Sequence, residues 1–242
     1  MSGPRVLVLQ HIACEPPGAY EDVLRDHGAE IVRVELDEGE ALPGLAEIDA
    51  IVAMGGPMSV NDEAEHSWLV DEKRLIAEAV RAGIPFFGAC LGVQLLASSL
   101  GARVTAGATP EVGVLPVFAT EAASDDPVFS GLAWPRPTLQ WHGDTFELPD
   151  GATLLATSPA YVNQAFRFGD RAYGVQFHLE VTDEMADEWA RVPAYVASAD
   201  RSLGEGGLAR LLAEFRSHAE EMRADARILF SRWVGLWAPA RG

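Results

Sequence analysis

Short apolar runs alternate with segments of helical spacing in the N-terminal part of the chain, and this alternation limits the fold more than any other feature. Four runs predict strands: RVLVLQ (Arg5 to Gln10), AEIVRVEL (Ala29 to Leu36), IDAIVAMGGP (Ile48 to Pro57, ending in a double-glycine turn) and IPFFGA (Ile84 to Ala89). Three segments predict helices: Gly18 to Gly28, Trp68 to Ala82 and Leu91 to Leu100. The alternation is typical of a parallel sheet with helices on both faces, whose sites lie at the carboxyl ends of the strands.

The remainder of the chain follows two other patterns. Between Arg103 and Phe177, Pro and Gly separate runs that are typical of antiparallel strands: EVGVLPVF, PTLQWH, TLLATS, YVNQAFRF and AYGVQFH. After Thr182 the sequence predicts two helices, DEMADEWARVPAYV and a long segment after Gly204, Gly206 and Gly207. We expect one domain over residues 1–242 with a helical extension at about 183–242. Its apolar stripe is expected to pack on the core, or alternatively to form a partner or homodimer surface: Trp189, Leu211, Leu212, Phe215, Ile228, Phe230, Trp233 and Trp237.

Charge and cysteine content exclude several functional classes. The net charge of −18 over 242 residues gives no general attraction to nucleic acid or to anionic membranes. Two cysteines, Cys14 and Cys90, are too few for a disulfide framework. No signal peptide and no run of about 18 apolar residues is recognised, so a cytoplasmic location is expected. No metal motif or dinucleotide fingerprint is found, so no metal or cofactor is expected.

The cysteine after the fourth predicted strand is the first candidate functional residue. In FFGACLGVQLLA (Phe86 to Ala97), Gly88 and Gly92 flank Cys90, so that a strand can turn sharply into a helix, as in a nucleophile elbow. The helix start adds partial positive charge that favours the thiolate, and its unpaired N–H groups can stabilise an oxyanion. By itself, the same pattern also suits a small buried cysteine without chemistry.

A base for this thiol is offered by YGVQFHLEVT (Tyr173 to Thr182). An apolar strand ends there at His178, and Glu180 follows. A carboxylate beside the ring can orient the ring and stabilise its imidazolium form. When this segment is considered alone, a structural histidine beside a solvated glutamate is a better interpretation of His178 than a catalytic base. Among the other histidines, only His142, in the sequence WHGD, has neighbouring residues that make it a comparable candidate for the base.

Together these segments resemble the class I (triad-type) glutamine amidotransferase domain. The sequences GACLGVQ and YGVQFHLE, together with MGGPMSV (Met54 to Val60), which is similar to that family's oxyanion loop, occur in the family's order. The resemblance runs from Arg5 to about Thr182 and is that of a stand-alone member similar to the glutaminase domain of GMP synthase. It implies a three-layer open sheet, mostly parallel, with helices on both faces, an antiparallel strand extension and a flavodoxin-like core.

The resemblance also implies residue roles. Cys90 would attack the side-chain amide of glutamine and form a γ-glutamyl thioester, His178 would move the protons, and Glu180 would orient His178. The N–H groups of Gly56 and Leu91 would form the oxyanion hole. Ammonia would pass to a separate synthetase subunit. Six residues match the family's substrate pocket: Gln94, Glu111, Gly113, His142, Gly143 and Asp144.

Two departures from the family pattern leave the amide donor open. Leu179 stands where the family usually has proline, and Trp141 stands where many members have Asn or Ser. A self-sufficient γ-glutamyl amide or peptide hydrolase is therefore an alternative. A non-catalytic scaffold on the same fold is a second alternative, and a cysteine peptidase of related fold fits the Gly-Gly-Pro loop and the His-x-Glu pair poorly.

Overall fold

The computed structural model describes residues 3–238. Nine strands are present in this part: β1 (Arg5–Gln10), β2 (Glu30–Glu35), β3 (Ala50–Ala53), β4 (Phe86–Ala89), β5 (Val104–Ala119), β6 (Arg136–Phe146), β7 (Thr153–Thr157), β8 (Ala165–Phe168) and β9 (Ala172–Val175). Six α-helices accompany them: α1 (Ala19–Asp26), α2 (Trp68–Arg81), α3 (Leu91–Ser99), α4 (Asp183–Trp189), α5 (Pro193–Leu203) and α6 (Gly207–Gly235).

All nine strands form one sheet with the order β2-β1-β3-β4-β9-β8-β7-β5-β6. The first five strands of this order pair in parallel. The other pairs are antiparallel. Strand β9 is antiparallel to β8 and parallel to β4, so it joins the two halves of the sheet. The expected open sheet with an antiparallel extension is confirmed.

The core is divided by the sheet into two layers, as side-chain alternation along a buried strand requires. In β1, Val6 and Val8 pack in the layer that contains α1, α4, α5 and α6. Leu7 and Leu9, which point the other way, pack in the layer that contains α2 and α3. The expected three-layer arrangement, with helices on both faces, follows from this alternation.

The C-terminal extension corrects one helix prediction. DEMADEWARVPAYV is not one helix, because α4 ends at Trp189 and α5 begins at Pro193. Proline disfavours helical geometry in the preceding residue, and Val192 is extended, with φ −75° and ψ 119°. Pro193 then occupies the first turn of α5, where its missing N–H has no helical partner to lose.

The predicted apolar stripe of the extension packs against the core with one exception. Phe230 and Trp233 are fully buried, and the Trp233 indole N–H donates to the carbonyl oxygen of Arg171 at 3.0 Å. Leu212 and Trp237 are partly buried against the same layer. Ile228 is 42% exposed, so the expectation that it packs inside is wrong. We infer that the extension and the sheet unfold as one cooperative domain.

Replacing Trp233→Ala tests this inference. The change removes a buried ring and its hydrogen bond, so the free energy of unfolding is expected to fall by about 3–5 kcal/mol. The solvent-facing control Ile228→Ala on the same helix is expected to stay within about 0.5 kcal/mol of wild type. Urea unfolding followed by far-UV and near-UV circular dichroism measures both. Two separate transitions in the wild-type chain would contradict the single cooperative domain.

Candidate active site

Strand β4 turns directly into α3 at Cys90. Cys90 has a φ of 53°, and its N–H donates to the carbonyl oxygen of Val175 at 2.9 Å. The turn needs glycine on both sides. A Cβ on Gly88 would lie 2.4 Å from the backbone of Gly92, and a Cβ on Gly92 would lie 2.1 Å from the carbonyl oxygen of Ala53. The left-handed backbone of Cys90 costs about 1–3 kcal/mol, a strain that typically persists at functional sites.

The sulfur of Cys90 lies near two sources of partial positive charge, the start of α3 and the side-chain amide of Gln176. Since α3 begins at Leu91, the first N–H groups of the helix have no carbonyl partner inside it. The Gln176 side-chain amide donates to Sγ at 3.6 Å, and the Gln94 amide donates to the Gln176 oxygen at 3.0 Å. Sequence reasoning did not single out Gln176, although it lies inside the YGVQFH motif that contains His178.

His178 and Glu180 form a direct pair beyond the end of β9. Nδ1 of the ring lies 2.7 Å from Oε1 of Glu180. The backbone N–H of Leu179 donates to Oε2 of the same carboxylate at 3.0 Å. A proline at this position has no N–H to donate, so the departure to Leu179 adds a hydrogen bond that fixes the carboxylate. His178 itself is held by two backbone hydrogen bonds to Leu139.

The charges around His178 favour its protonated form. Burial acts to lower the pKa of His178, but the negative charges of Glu180 and Cys90, and hydrogen bonds to both, prevail and hold the pKa well above its usual value. Trp189 packs edge-on against the ring, with centroids 4.9 Å apart. Because Nδ1 is engaged by Glu180, Nε2 is the nitrogen left to face the sulfur.

A further buried carboxylate, that of Glu15, lies beside this pair. Its Oε1 accepts a hydrogen bond from the Tyr195 hydroxyl in α5. Its Oε2 has no partner within residues 3–238 and lies where a Cβ on Gly55 would meet it at 1.9 Å. Burial raises the pKa of Glu15 despite the nearby His178 and the Tyr195 hydrogen bond, which lower it. No sequence pattern marked Glu15 or Tyr195.

An open cavity of about 560 Å³ lies over Cys90. Four segments line it: the loop that follows β3, the start of α3, strands β5 and β6, and helix α5. The lining residues are Gly56, Pro57, Met58, Ser59, Asp62, Cys90, Leu91, Gln94, Pro110, Trp141, His142, Gly143, Asp144, Ala194, Tyr195, Ala197, Ser198 and Arg201. Sequence reasoning gave no indication that α5 contributes to this wall.

Two predicted pocket residues lie behind the wall of this cavity. Glu111 is buried and bonded to three side chains, namely His142 at 3.1 Å, Ser158 at 2.8 Å and Gln164 at 2.7 Å. Gly113 lies further along β5 and is not among the lining residues of the cavity. Glu111 therefore reaches the cavity only through His142, and its predicted contact with substrate stays a prediction.

Two kinds of feature are absent from the described part of the chain: a cluster of metal-ligating side chains and a helix that could span a membrane. Among residues 3–238, no three His, Cys, Asp or Glu side chains meet in an arrangement that could hold a metal ion. In the same range, no helix combines the length and apolar character needed to cross a membrane.

Known proteins share both the sequence and the fold of this chain. The family model "Glutamine amidotransferase class-I" matches residues 20–189. The glutamine amidotransferase-like protein YfeJ of Salmonella typhimurium is 36% identical over 187 residues, which is 76% of this chain and 78% of that protein. One subunit of the glutamine-hydrolyzing GMP synthase of Natronomonas pharaonis is 36% identical over 167 residues, covering 68% of this chain and 82% of the relative.

A solved structure extends the similarity over nearly the full length. The crystal structure of a glutamine amidotransferase from Thermotoga maritima superposes with a TM-score of 0.85 at 32% identity, covering 97% of this chain and 99% of that one. The family match spans well over half of the chain and includes the corner at Cys90 and the His178–Glu180 pair. The chain therefore belongs to the class I glutamine amidotransferase family.

Proposed function

We propose that this chain hydrolyses the side-chain amide of glutamine through a γ-glutamyl thioester on Cys90, releasing glutamate and ammonia. The observation that carries the proposal is the cysteine held at a φ of 53° at a helix start, beside a histidine whose Nδ1 lies 2.7 Å from a buried carboxylate. Nucleophile, base and orienter are the three parts that covalent amide hydrolysis requires.

In the first half of the reaction, the Cys90 thiolate attacks the amide carbon and the carbonyl oxygen becomes an oxyanion. The N–H groups of Gly56 and Leu91 stabilise that oxyanion by hydrogen bonds. The imidazolium of His178 gives its Nε2 proton to the departing nitrogen, which leaves as ammonia, and a thioester remains. Glu180 keeps the ring oriented and stabilises its positive charge.

In the second half, the neutral His178 ring takes a proton from water. The hydroxide attacks the thioester carbon, the carbon–sulfur bond breaks, and glutamate leaves the restored thiolate–imidazolium pair. No step needs a redox partner or a metal. Both cysteines of the chain are free thiols, which fits work in a reducing compartment such as the cytoplasm.

The ammonia acceptor is proposed to be a separate synthetase. The relative from Natronomonas pharaonis carries the name of one subunit of a glutamine-hydrolyzing synthase. That name supports an arrangement in which the amidohydrolase and the synthetase are different chains. We expect this synthetase to be an enzyme that activates an acceptor molecule for attack by ammonia.

A second candidate function, hydrolysis of larger γ-glutamyl amides or peptides, is favoured by the cavity. A cavity of about 560 Å³ exceeds the size of one glutamine side chain, and α5 supplies part of its wall. Trp141 lines it together with Tyr195 of α5, and the two ring centroids lie 5.7 Å apart. This aromatic wall offers contact surface to a leaving group larger than ammonia.

Alkylation with iodoacetamide tests the nucleophile. Both cysteines are 7% exposed. Burial and the Glu15 carboxylate raise the pKa of Cys14 to about 12, so it remains an unreactive thiol at pH 7. We expect modification at Cys90 first, in step with loss of ammonia release, and none of that activity in Cys90→Ala. Cys14→Ala is the control and should retain activity. Activity that survives loss of Cys90 would refute the elbow as the reaction centre.

Loss of the base is expected to lower kcat more than loss of the residue that orients it. His178→Asn removes the proton carrier, whereas Glu180→Gln leaves it in place with a weaker partner. The loss of kcat in His178→Asn should exceed that in Glu180→Gln by about 100-fold, as in other triads. Steady-state ammonia release measures both. Equal losses would indicate that Glu180 takes part in the chemistry directly.

Substrate preference separates the two candidate functions. The isolated chain is assayed with L-glutamine for ammonia and with L-γ-glutamyl-p-nitroanilide for p-nitroaniline. The proposed function predicts that kcat/KM for glutamine is larger, by about tenfold or more. The reverse preference, with a KM for the anilide that rises in Arg201→Ala while the KM for glutamine does not, would establish the second candidate.

A further inference from the structure

A second buried histidine–glutamate pair lies beside the segment proposed as the oxyanion loop (Met54 to Val60) and has no part in the proposed proton transfers. His11 follows the end of β1, Glu72 lies on α2, and Nε2 and Oε1 are 2.8 Å apart. Neither side chain has any exposed surface. Burying two ionisable groups is often less favourable than burying an apolar pair of the same size. Stability alone therefore does not account for this pair.

The other ring nitrogen of His11 faces the backbone of the oxyanion loop. Nδ1 lies 3.1 Å from the carbonyl oxygen of Gly55. A carbonyl oxygen only accepts, so Nδ1 carries a hydrogen and donates it. The C=O of Gly55 and the N–H of Gly56 belong to one trans peptide unit and point in opposite directions. The hydrogen bond from His11 therefore fixes the direction of the Gly56 N–H.

The Gly55–Gly56 peptide needs such a bond because its residues cannot fix it themselves. Glycine lacks a Cβ and rotates with little steric resistance. Larger residues do not fit here, since a Cβ on Gly55 would meet Oε2 of Glu15 at 1.9 Å and one on Gly56 would meet Cβ of His11 at 2.9 Å. The crowded loop requires glycines for space and an outside group for orientation.

The His11 ring is itself held in one orientation. Trp68 stacks on it, with centroids 5.6 Å apart and an interplanar angle of 27°. Burial acts to lower the pKa of His11, but the Glu72 carboxylate and the hydrogen bonds to Glu72 and Gly55 raise it above its usual value. The raised pKa favours the ring form that donates from both nitrogens, to the carboxylate on one side and to the peptide on the other.

We propose that His11 and Glu72 form a positioning dyad that holds the Gly55–Gly56 peptide with the Gly56 N–H directed at the oxyanion. The inference rests on the proposed function, because it assumes a tetrahedral intermediate on Cys90. The dyad acts from behind the loop, since Gly56 and Cys90 line the cavity and His11 does not. Glu72 orients the ring, the ring orients the peptide, and the peptide supplies the donor.

The test replaces the pair without leaving an unpaired charge. In His11→Leu/Glu72→Leu, two apolar side chains of similar volume fill the space, a replacement that buried ion pairs often tolerate. We expect kcat for L-glutamine and for L-γ-glutamyl-p-nitroanilide to fall about 100- to 1,000-fold, as on loss of one oxyanion donor, with KM within about threefold. The rate of alkylation of Cys90 by iodoacetamide should stay within about twofold, because displacement of iodide forms no oxyanion.

Two further variants separate positioning from folding. His11→Asn/Glu72→Gln keeps an amide N–H near the place of Nδ1, so its kcat should exceed that of the leucine pair by about tenfold or more. Leu69→Ala removes a fully buried side chain from the same helix. It should lower the midpoint of urea unfolding while kcat stays within about twofold of wild type.

Three results would overturn the dyad: a kcat of the leucine pair within threefold of wild type, alkylation that falls in step with kcat, or an equal loss in Leu69→Ala. A wild-type chain that hydrolyses neither substrate refutes the proposed function instead. A crystal structure of the leucine pair still decides the dyad in that case. An unchanged Gly55–Gly56 peptide contradicts the proposal, and a reoriented peptide supports it.

Discussion

The close approach of α3 to the ends of β3 and β4 is the constraint on which the rest of the site depends. With Gly88 and Gly92 in backbone contact, and with Gly92 against the carbonyl of Ala53, the chain has no room for a wider turn. Cys90 therefore takes a φ of 53°. The buried residues of α3 hold the helix on the sheet, and this burial offsets the strain at the corner. The corner cannot relax unless the helix leaves the sheet, so the position of the sulfur is set by the core.

The second constraint is electrostatic, because several ionisable groups share an apolar interior beside this corner. Glu180 is bonded to His178 and to a backbone N–H. Glu15, which also lies near His178, has one oxygen without a partner in the described range, and burial raises its pKa. Glu180 is hydrogen-bonded to the His178 ring, whereas Glu15 is bonded to the Tyr195 hydroxyl. In the proposed mechanism, Glu180 is therefore the direct partner of the imidazolium.

The sequence predicts features that depend on neighbouring residues, such as strands and sharp turns. It does not predict contacts between residues that are far apart along the chain. Strand β1 lies where the RVLVLQ run predicts it, because a buried strand has a local apolar signature. The corner at Cys90 was predictable because its glycines are its neighbours in sequence. Tyr195 and Glu15, by contrast, are 180 positions apart, and His11 and Glu72 are 61 apart. No periodicity links such pairs, and only the packing of α5 and α2 brings them together. Pro193 marks a helix boundary in the sequence, but the helical spacing of apolar residues continues past it, so that spacing alone predicts one helix where the structure has two.

Part of the cavity wall lies outside the residues that the family model matches. That match ends at residue 189, whereas α5 begins at Pro193 and brings Tyr195 to the cavity. Trp141 packs against both Trp189 and Tyr195, with ring centroids 5.8 and 5.7 Å apart. The departure at Trp141 and the helical extension therefore form one aromatic cluster, and a small polar residue at position 141 would leave that cluster incomplete. The proposed thioester chemistry uses Cys90, His178 and Glu180, which all lie before α4 in the chain. In the second candidate function, the choice of leaving group would instead depend on the wall to which the extension contributes Tyr195.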